Sequence, residues 1–213
     1  TCALPIWKIE ELAAKGAVIL GSSSLRYSNE IAEFTAKPEA DRGRIVNATI
    51  TVGTDEFNYA IHAVESLGGI MGTGAVSTRW AGSSAADGKE CDTYFVRWAD
   101  GRAAVYHSMR GVWQPNDVVV MTTKSTHHFR IDTSKVYGAL LDRICDFMET
   151  GKNDLAPVPA ITESIRIMLA GRLSKERGGA EVRLADIPVK DPGFDGWAFE
   201  KGYAAAAKKI YLP

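Results

Sequence analysis

The chain has 213 residues, 25 Lys and Arg against 26 Asp and Glu, and a formal net charge of −1. That balance gives no electrostatic reason to expect nucleic acid or an anionic membrane as a partner, and the length suffices for a buried core without disulfides or a structural metal. No apolar run is long enough to span a bilayer, and three widely spaced cysteines, Cys2, Cys91 and Cys145, form neither a disulfide framework nor a zinc spacing, which points to a reducing, cytoplasmic compartment.

The first residues, Thr1-Cys2-Ala3-Leu4-Pro5-Ile6, can be encoded by ACG TGT GCT CTT CCG ATC, the end of a common short-read sequencing adapter. Residues 1–7 are therefore expected to be non-native. Lys8 to Lys15 reads as a helix, and Gly16 as the turn before the apolar run Ala17-Val18-Ile19-Leu20. A run without polar alternation suits a parallel strand buried on both faces. Such strands come in repeated crossover units, and no further unit follows, so the opening reads as the last piece of a larger α/β sheet. Ligands of open α/β sheets sit beyond the carboxyl ends of the strands, which places Arg26 and Tyr27 as candidate contacts. Ser28 caps a short helix running to about Phe34, and Lys37-Pro38 ends it. A domain boundary is expected near Gly43.

Val46, Ala48, Ile50 and Val52 alternate with polar residues and predict a strand with one buried face. A helix follows and stops at Gly72-Thr73-Gly74. Strands are then predicted at Ala75 to Trp80, Thr93 to Trp98, Ala103 to Ser108 and Val118 to Thr123, with a continuation near Phe129-Arg130-Ile131. Asp100-Gly101 reads as a tight hairpin and Asp87-Gly88 as a looser turn. Closely spaced strands of this kind make a largely antiparallel sheet. Helices are expected at Tyr137 to Met148 and Ala160 to Arg177, then a short strand at Ala180 to Leu184, and a turn or two of helix within Ala204 to Ile210.

The helix after the first of these strands carries the most chemistry. Phe57, Ile61, Val64 and Met71 recur at helical spacing and predict a core-facing stripe. Asn58, His62 and Glu65 fall at i, i+4 and i+7 on a neighbouring stripe. An amide, an imidazole and a carboxylate on one side of a helix suit hydrogen bonding to a polyhydroxylated ligand and movement of a proton; the alternative is a polar flank on which the histidine merely packs. The adjacent His127 and His128 point to opposite faces of a strand and do not share a metal; no metal site is expected. His107 reads as sheet packing, Trp80, Trp98 and Trp113 as cover for the sheet, and Arg172, Lys175, Glu176 and Arg177 as a solvated helix end.

The order Ser24-Leu25-Arg26-Tyr27, then Tyr59-Ala60-Ile61-His62-Ala63-Val64-Glu65, resembles the Gfo/Idh/MocA oxidoreductases. So do Phe147-Met148-Glu149-Thr150-Gly151 and the run from Glu163-Ser164-Ile165 through Ser174 to Gly178-Gly179-Ala180, closing on Val182-Arg183-Leu184. The likeness covers most of residues 8 to 190. It implies an α+β fold: an open-faced, mainly antiparallel sheet with helices on one face, preceded by the remnant of a Rossmann-type domain. Residues 8–43 would end a dinucleotide-binding domain, and 44–213 would be the substrate and oligomerisation domain.

The resemblance further implies hydride transfer between NAD or NADP and a sugar, inositol or related polyol. His62 is the expected catalytic acid/base. Asn58, Glu65, Arg26 and Tyr27 are expected to contact substrate, with Arg26 also near the nicotinamide, and the main cofactor site missing. The family's helix motif is commonly Asp-x-Gly-x-His-x-x-Asp, and here those positions read Asn58, Ala60, His62 and Glu65. Its Glu-Lys-Pro lysine has no counterpart. A homo-oligomer through the sheet face is implied. The chain alone is expected to be inactive; the other readings are a non-enzymatic binding or dimerisation domain and a sugar sensor.

Overall fold

The computed structural model describes residues 6–202 apart from 55, 190 and 199. The expectations for residues 1–5 and for a helix within 204–210 lie outside the described residues. Helix α1 (Ile6–Ala14) leads through an irregular stretch to a 3-10 turn (Ser24–Tyr27), then α2 (Asn29–Ala36) and the short α3 (Glu39–Arg42). Strand β1 (Ile45–Thr54) and helix α4 (Glu56–Met71) follow, then β2 (Ala75–Ala86), β3 (Lys89–Trp98), β4 (Ala103–Arg110), β5 (Asp117–Thr122) and β6 (Thr126–Arg130). Helices α5 (Val136–Thr150) and α6 (Val158–Glu176) and the short β7 (Val182–Arg183) complete the order.

The strands form one sheet in the order β6-β5-β1-β4-β3-β2-β7. Every neighbouring pair is antiparallel except β1 with β4, which run parallel because α4 and the β2–β3 pair intervene between them. The α+β architecture and the mainly antiparallel sheet are those read from the sequence. Ala48, Ile50 and Val52 of β1, Tyr94, Val96 and Trp98 of β3, Tyr106 of β4 and Val118 and Val120 of β5 share one buried face. That face meets Ala60, Ala63, Val64 and Leu67 of α4 and Ile167, Met168 and Ala170 of α6 in a single apolar core. Leu25, Ile31 and Phe34, which precede Gly43, belong to the same core. On the reverse face Thr49, Phe95, Val105 and His107 are only half-buried.

Four expectations need correction. Ala17 to Leu20 is not a strand: Val18 is 71% exposed, and no strand lies beside the run among the described residues. A parallel strand exists only where a neighbour takes its hydrogen bonds. Val46 is 49% exposed, because a bulge between Ile45 and Asn47 turns Ile45, and not Val46, toward the core. The turns trade roles: Ala86 pairs directly with Lys89, so Asp87 and Gly88, with φ of 50° and 72°, form the tight two-residue hairpin. Asp100-Gly101 sits in the wider connection, where the Trp98 N–H donates to the Arg102 carbonyl. Finally, Lys175 and Arg172 are not a solvated end. Lys175 Nζ lies 2.6 Å from Oδ2 of the fully buried Asp92, and Arg172 pairs with Asp191.

Candidate active site

Helix α4 brings His62 and Glu65 toward the segment Ser22-Ser23-Ser24 that leads into the 3-10 turn. Ser23, in extended conformation at the cap of that turn, accepts the Leu25 N–H on its hydroxyl oxygen at 3.2 Å. The same oxygen lies 2.8 Å from Nδ1 of His62. One residue earlier, the Ser22 hydroxyl donates to Oε2 of Glu65. Consecutive serines thus hold two polar side chains three residues apart on one helix face.

Glu65 is 2% exposed and is far more buried than a ligand-facing polar flank. Arg26 Nε donates to its Oε2 at 2.8 Å, and Arg26 Nη2 reaches Ser164 Oγ on α6 at 3.4 Å. The guanidinium fits because α4 has no side chain beneath it: a β-carbon on Gly68 would sit 2.5 Å from Nη2. The second carboxylate oxygen of Glu65, Oε1, is enclosed and has no hydrogen-bond partner among the described residues. It is the part of this carboxylate left for a further donor.

His62 is half-buried, with the Tyr59 ring edge-on at 6.0 Å. Burial pushes its imidazole below the ordinary range, and the Glu65 carboxylate opposes that only in part. Among the described residues Nε2 has no hydrogen-bond partner, so one ring nitrogen is held and the other is open. A neutral imidazole in that state can present or take up a proton at Nε2 near neutral pH.

The remaining predicted residues are placed differently. Asn58 is on the first turns of α4, with its side chain outside the described residues. Tyr27 is buried, its hydroxyl accepts the Ala156 N–H at 2.9 Å, and the Arg143 guanidinium stacks 5.3 Å over its ring. The structure therefore brings Arg26, His62 and Glu65 together and ties Tyr27 to the loop between α5 and α6. Ser22, Ser23 and Ser164 were not singled out as site residues from sequence; the three consecutive serines 22–24, separated from Arg26 only by Leu25, were the available signal.

His107 Nδ1 pairs with Thr93 Oγ1 across β3 and β4. His127 packs edge-on to Phe34 while His128 lies on the other face near Asp117. Trp98 is buried and donates to the Gly72 carbonyl, and Trp80 donates to Asp92. Trp113 is 68% exposed rather than packed as cover for the sheet, a further correction. No group of three or more His, Cys, Asp or Glu among the described residues is placed to hold a metal. No described helix is long and apolar enough to cross a membrane. An apolar groove of about 660 Å³ lies elsewhere, between α1, α6 and the segment after β7.

No protein-family model matches the chain. No curated protein matches it by sequence. Solved structures do match by shape. A scyllo-inositol dehydrogenase from Lactobacillus casei, with NAD(H) and scyllo-inositol bound, aligns with a TM-score of 0.65 at 11% identity, over 86% of this chain and 71% of that one. An oxidoreductase from Thermotoga maritima gives 0.62 at 14% identity, over 86% and 68%. GenD2 from gentamicin A biosynthesis, in complex with NAD, gives 0.64 at 12% identity, over 84% and 68%. At such identities the likeness establishes the fold alone, one shared with these dehydrogenases and oxidoreductases.

Proposed function

We propose that this chain is the polyol-binding and proton-transferring part of a Gfo/Idh/MocA-type oxidoreductase, with His62 as its acid/base group. The observation that carries the reading is the state of that imidazole: Nδ1 held by Ser23, and Nε2 without a hydrogen-bond partner among the described residues, on a helix of this fold. The substrate class is a sugar, inositol or related polyol. Asn58 would meet its hydroxyls, and Glu65, enclosed between Arg26 and Ser22, would lie behind that contact. Arg26 acts chiefly by fixing Glu65, and Tyr27 by fixing the wall behind the site.

The described residues do not fit the phosphate-bearing part of NAD or NADP. None of them forms a glycine-rich turn opening a helix N-terminus, the usual cradle for a pyrophosphate. The reading therefore gives this chain the hydroxyl and its proton, and leaves the hydride to a nicotinamide gripped outside the described residues. Residues 8–43 then end the dinucleotide-binding domain, 44–213 form the substrate domain, and the open sheet face joins a second copy.

The test is expression of the gene from its genomic copy, assayed with NAD and NADP against a panel of inositols and sugars. Reduced nicotinamide is expected with at least one polyol. No reduction across the panel by a protein that binds NADH would remove the enzymatic reading. For the chain as it stands, a fluorescence titration with NADH is expected to show no binding.

A further inference from the structure

We infer that Ser23 is a positioning residue for His62: its hydroxyl donates to Nδ1 in the resting ring, so that Nε2 carries the hydrogen and is the nitrogen presented to a ligand oxygen. This rests on the reading of His62 as the proton-exchanging group. It adds which nitrogen works and what sets it.

Ser23 Oγ and His62 Nδ1 are 2.8 Å apart, so one hydrogen lies between them. Two arrangements are available: the hydroxyl donates to a bare Nδ1, or Nδ1–H donates to the hydroxyl oxygen. Oγ already accepts the Leu25 N–H at 3.2 Å. If it accepted Nδ1–H as well, both lone pairs would be used and its own hydrogen would have no acceptor among the described residues. Donation to Nδ1 gives that hydrogen an acceptor within the protein and leaves the second lone pair free. Nδ1 is then an acceptor, and a neutral ring must carry its hydrogen on Nε2.

The same oxygen supports the other states of the ring. On protonation of the imidazole, Nδ1–H donates to the second lone pair of Ser23 and Nε2–H remains available to a ligand oxygen. Delivery of the Nε2 proton to a carbonyl oxygen leaves a neutral ring with its hydrogen on Nδ1, still held by Ser23. The reverse step, uptake of a hydroxyl proton, starts from that form. Each exchange rotates one O–H bond and moves no heavy atom. Ser23 itself is fixed by the Leu25 cap, so the ring keeps its orientation through the cycle.

Nitrogen-15 spectra of the chain, free of ligand at about pH 8 where imidazoles are neutral, read this directly. His62 is expected to show a protonated Nε2 and an unprotonated, hydrogen-bonded Nδ1. In Ser23→Ala the Nδ1 resonance is expected to move to that of a nitrogen without a hydrogen bond, and Ser23→Thr to restore it. A protonated Nδ1 in the unaltered chain, or an Nδ1 resonance unmoved in Ser23→Ala, would overturn the assignment. The measurement on the unaltered chain needs no variant to fold. Because it uses no substrate or cofactor, it stands apart from whether the parent oxidises a polyol.

Discussion

Arg26 and Glu65, 39 residues apart in sequence, meet as an ion pair of 2.8 Å with side chains only 9% and 3% exposed. Removing one partner strands the other charge away from water, which typically costs about 3–5 kcal/mol. Arg26→Met or Glu65→Leu alone is expected to lower stability by about that amount in urea unfolding, while the double variant recovers most of it. Strict additivity of the two losses would show that the pair is not coupled.

In the protein expressed from its genomic gene, and on the reading proposed above, His62→Ala is expected to lower turnover by roughly 10²–10⁴-fold with an unchanged circular dichroism spectrum. Turnover within a fewfold of the parent protein would take His62 out of the chemistry.

Burial lowers the imidazoles of both His62 and His107 from their ordinary range. Each therefore contributes stability that is fully present above the unfolded value, about pH 6.5, and is lost as pH falls from there through the folded value. Asp92, whose hydrogen bonds to Lys175, Ser83 and Trp80 outweigh the effect of its burial, is lowered as well; its contribution is lost only in the acid range below the ordinary carboxylate value. Urea midpoints are expected to fall between pH 7.5 and 5.5, with a smaller fall in His107→Gln. An unchanged slope in that variant would exclude His107 as a source.

Gly53 and Gly68 separate two kinds of close approach. A β-carbon on Gly53 would overlap the backbone of Val112 and Gln114, which cannot move aside without shifting the loop before β5. On Gly68 it would meet the end of the Arg26 side chain. Gly68→Ala is expected to cost about 1–3 kcal/mol by displacing the guanidinium, and Gly53→Ala more. Equal midpoints in thermal unfolding would contradict the difference.

What could be read from sequence follows the range of the forces involved. The alternation in β1 and the helical spacing of Val64 and Met71 are local, and they gave the strand, the helix and the core face of α4. Val46 was misassigned because a single bulge inverts the alternation, and nothing local marks it. The burial of Glu65 depends on Arg26, and the pairing of Lys175 on Asp92, 83 residues away, so local sequence gave Glu65 as part of a ligand-facing stripe and Lys175 as solvated. Ser23 matters only through what it touches. Its cap to Leu25 was open to local reasoning, but its contact with His62 was not.

The exposed run at Ala17 to Leu20 has a practical outcome for anyone handling this polypeptide. Val18 and Leu20 turn apolar side chains outward and Ile19 is half-buried, while, among the described residues, the amides of all three donate to no carbonyl. Such a ribbon is a template awaiting a backbone, and any extended segment of another molecule can zip onto it. The material is expected to clump through this stretch as concentration rises, and a lysine placed at Val18 should keep it dispersed.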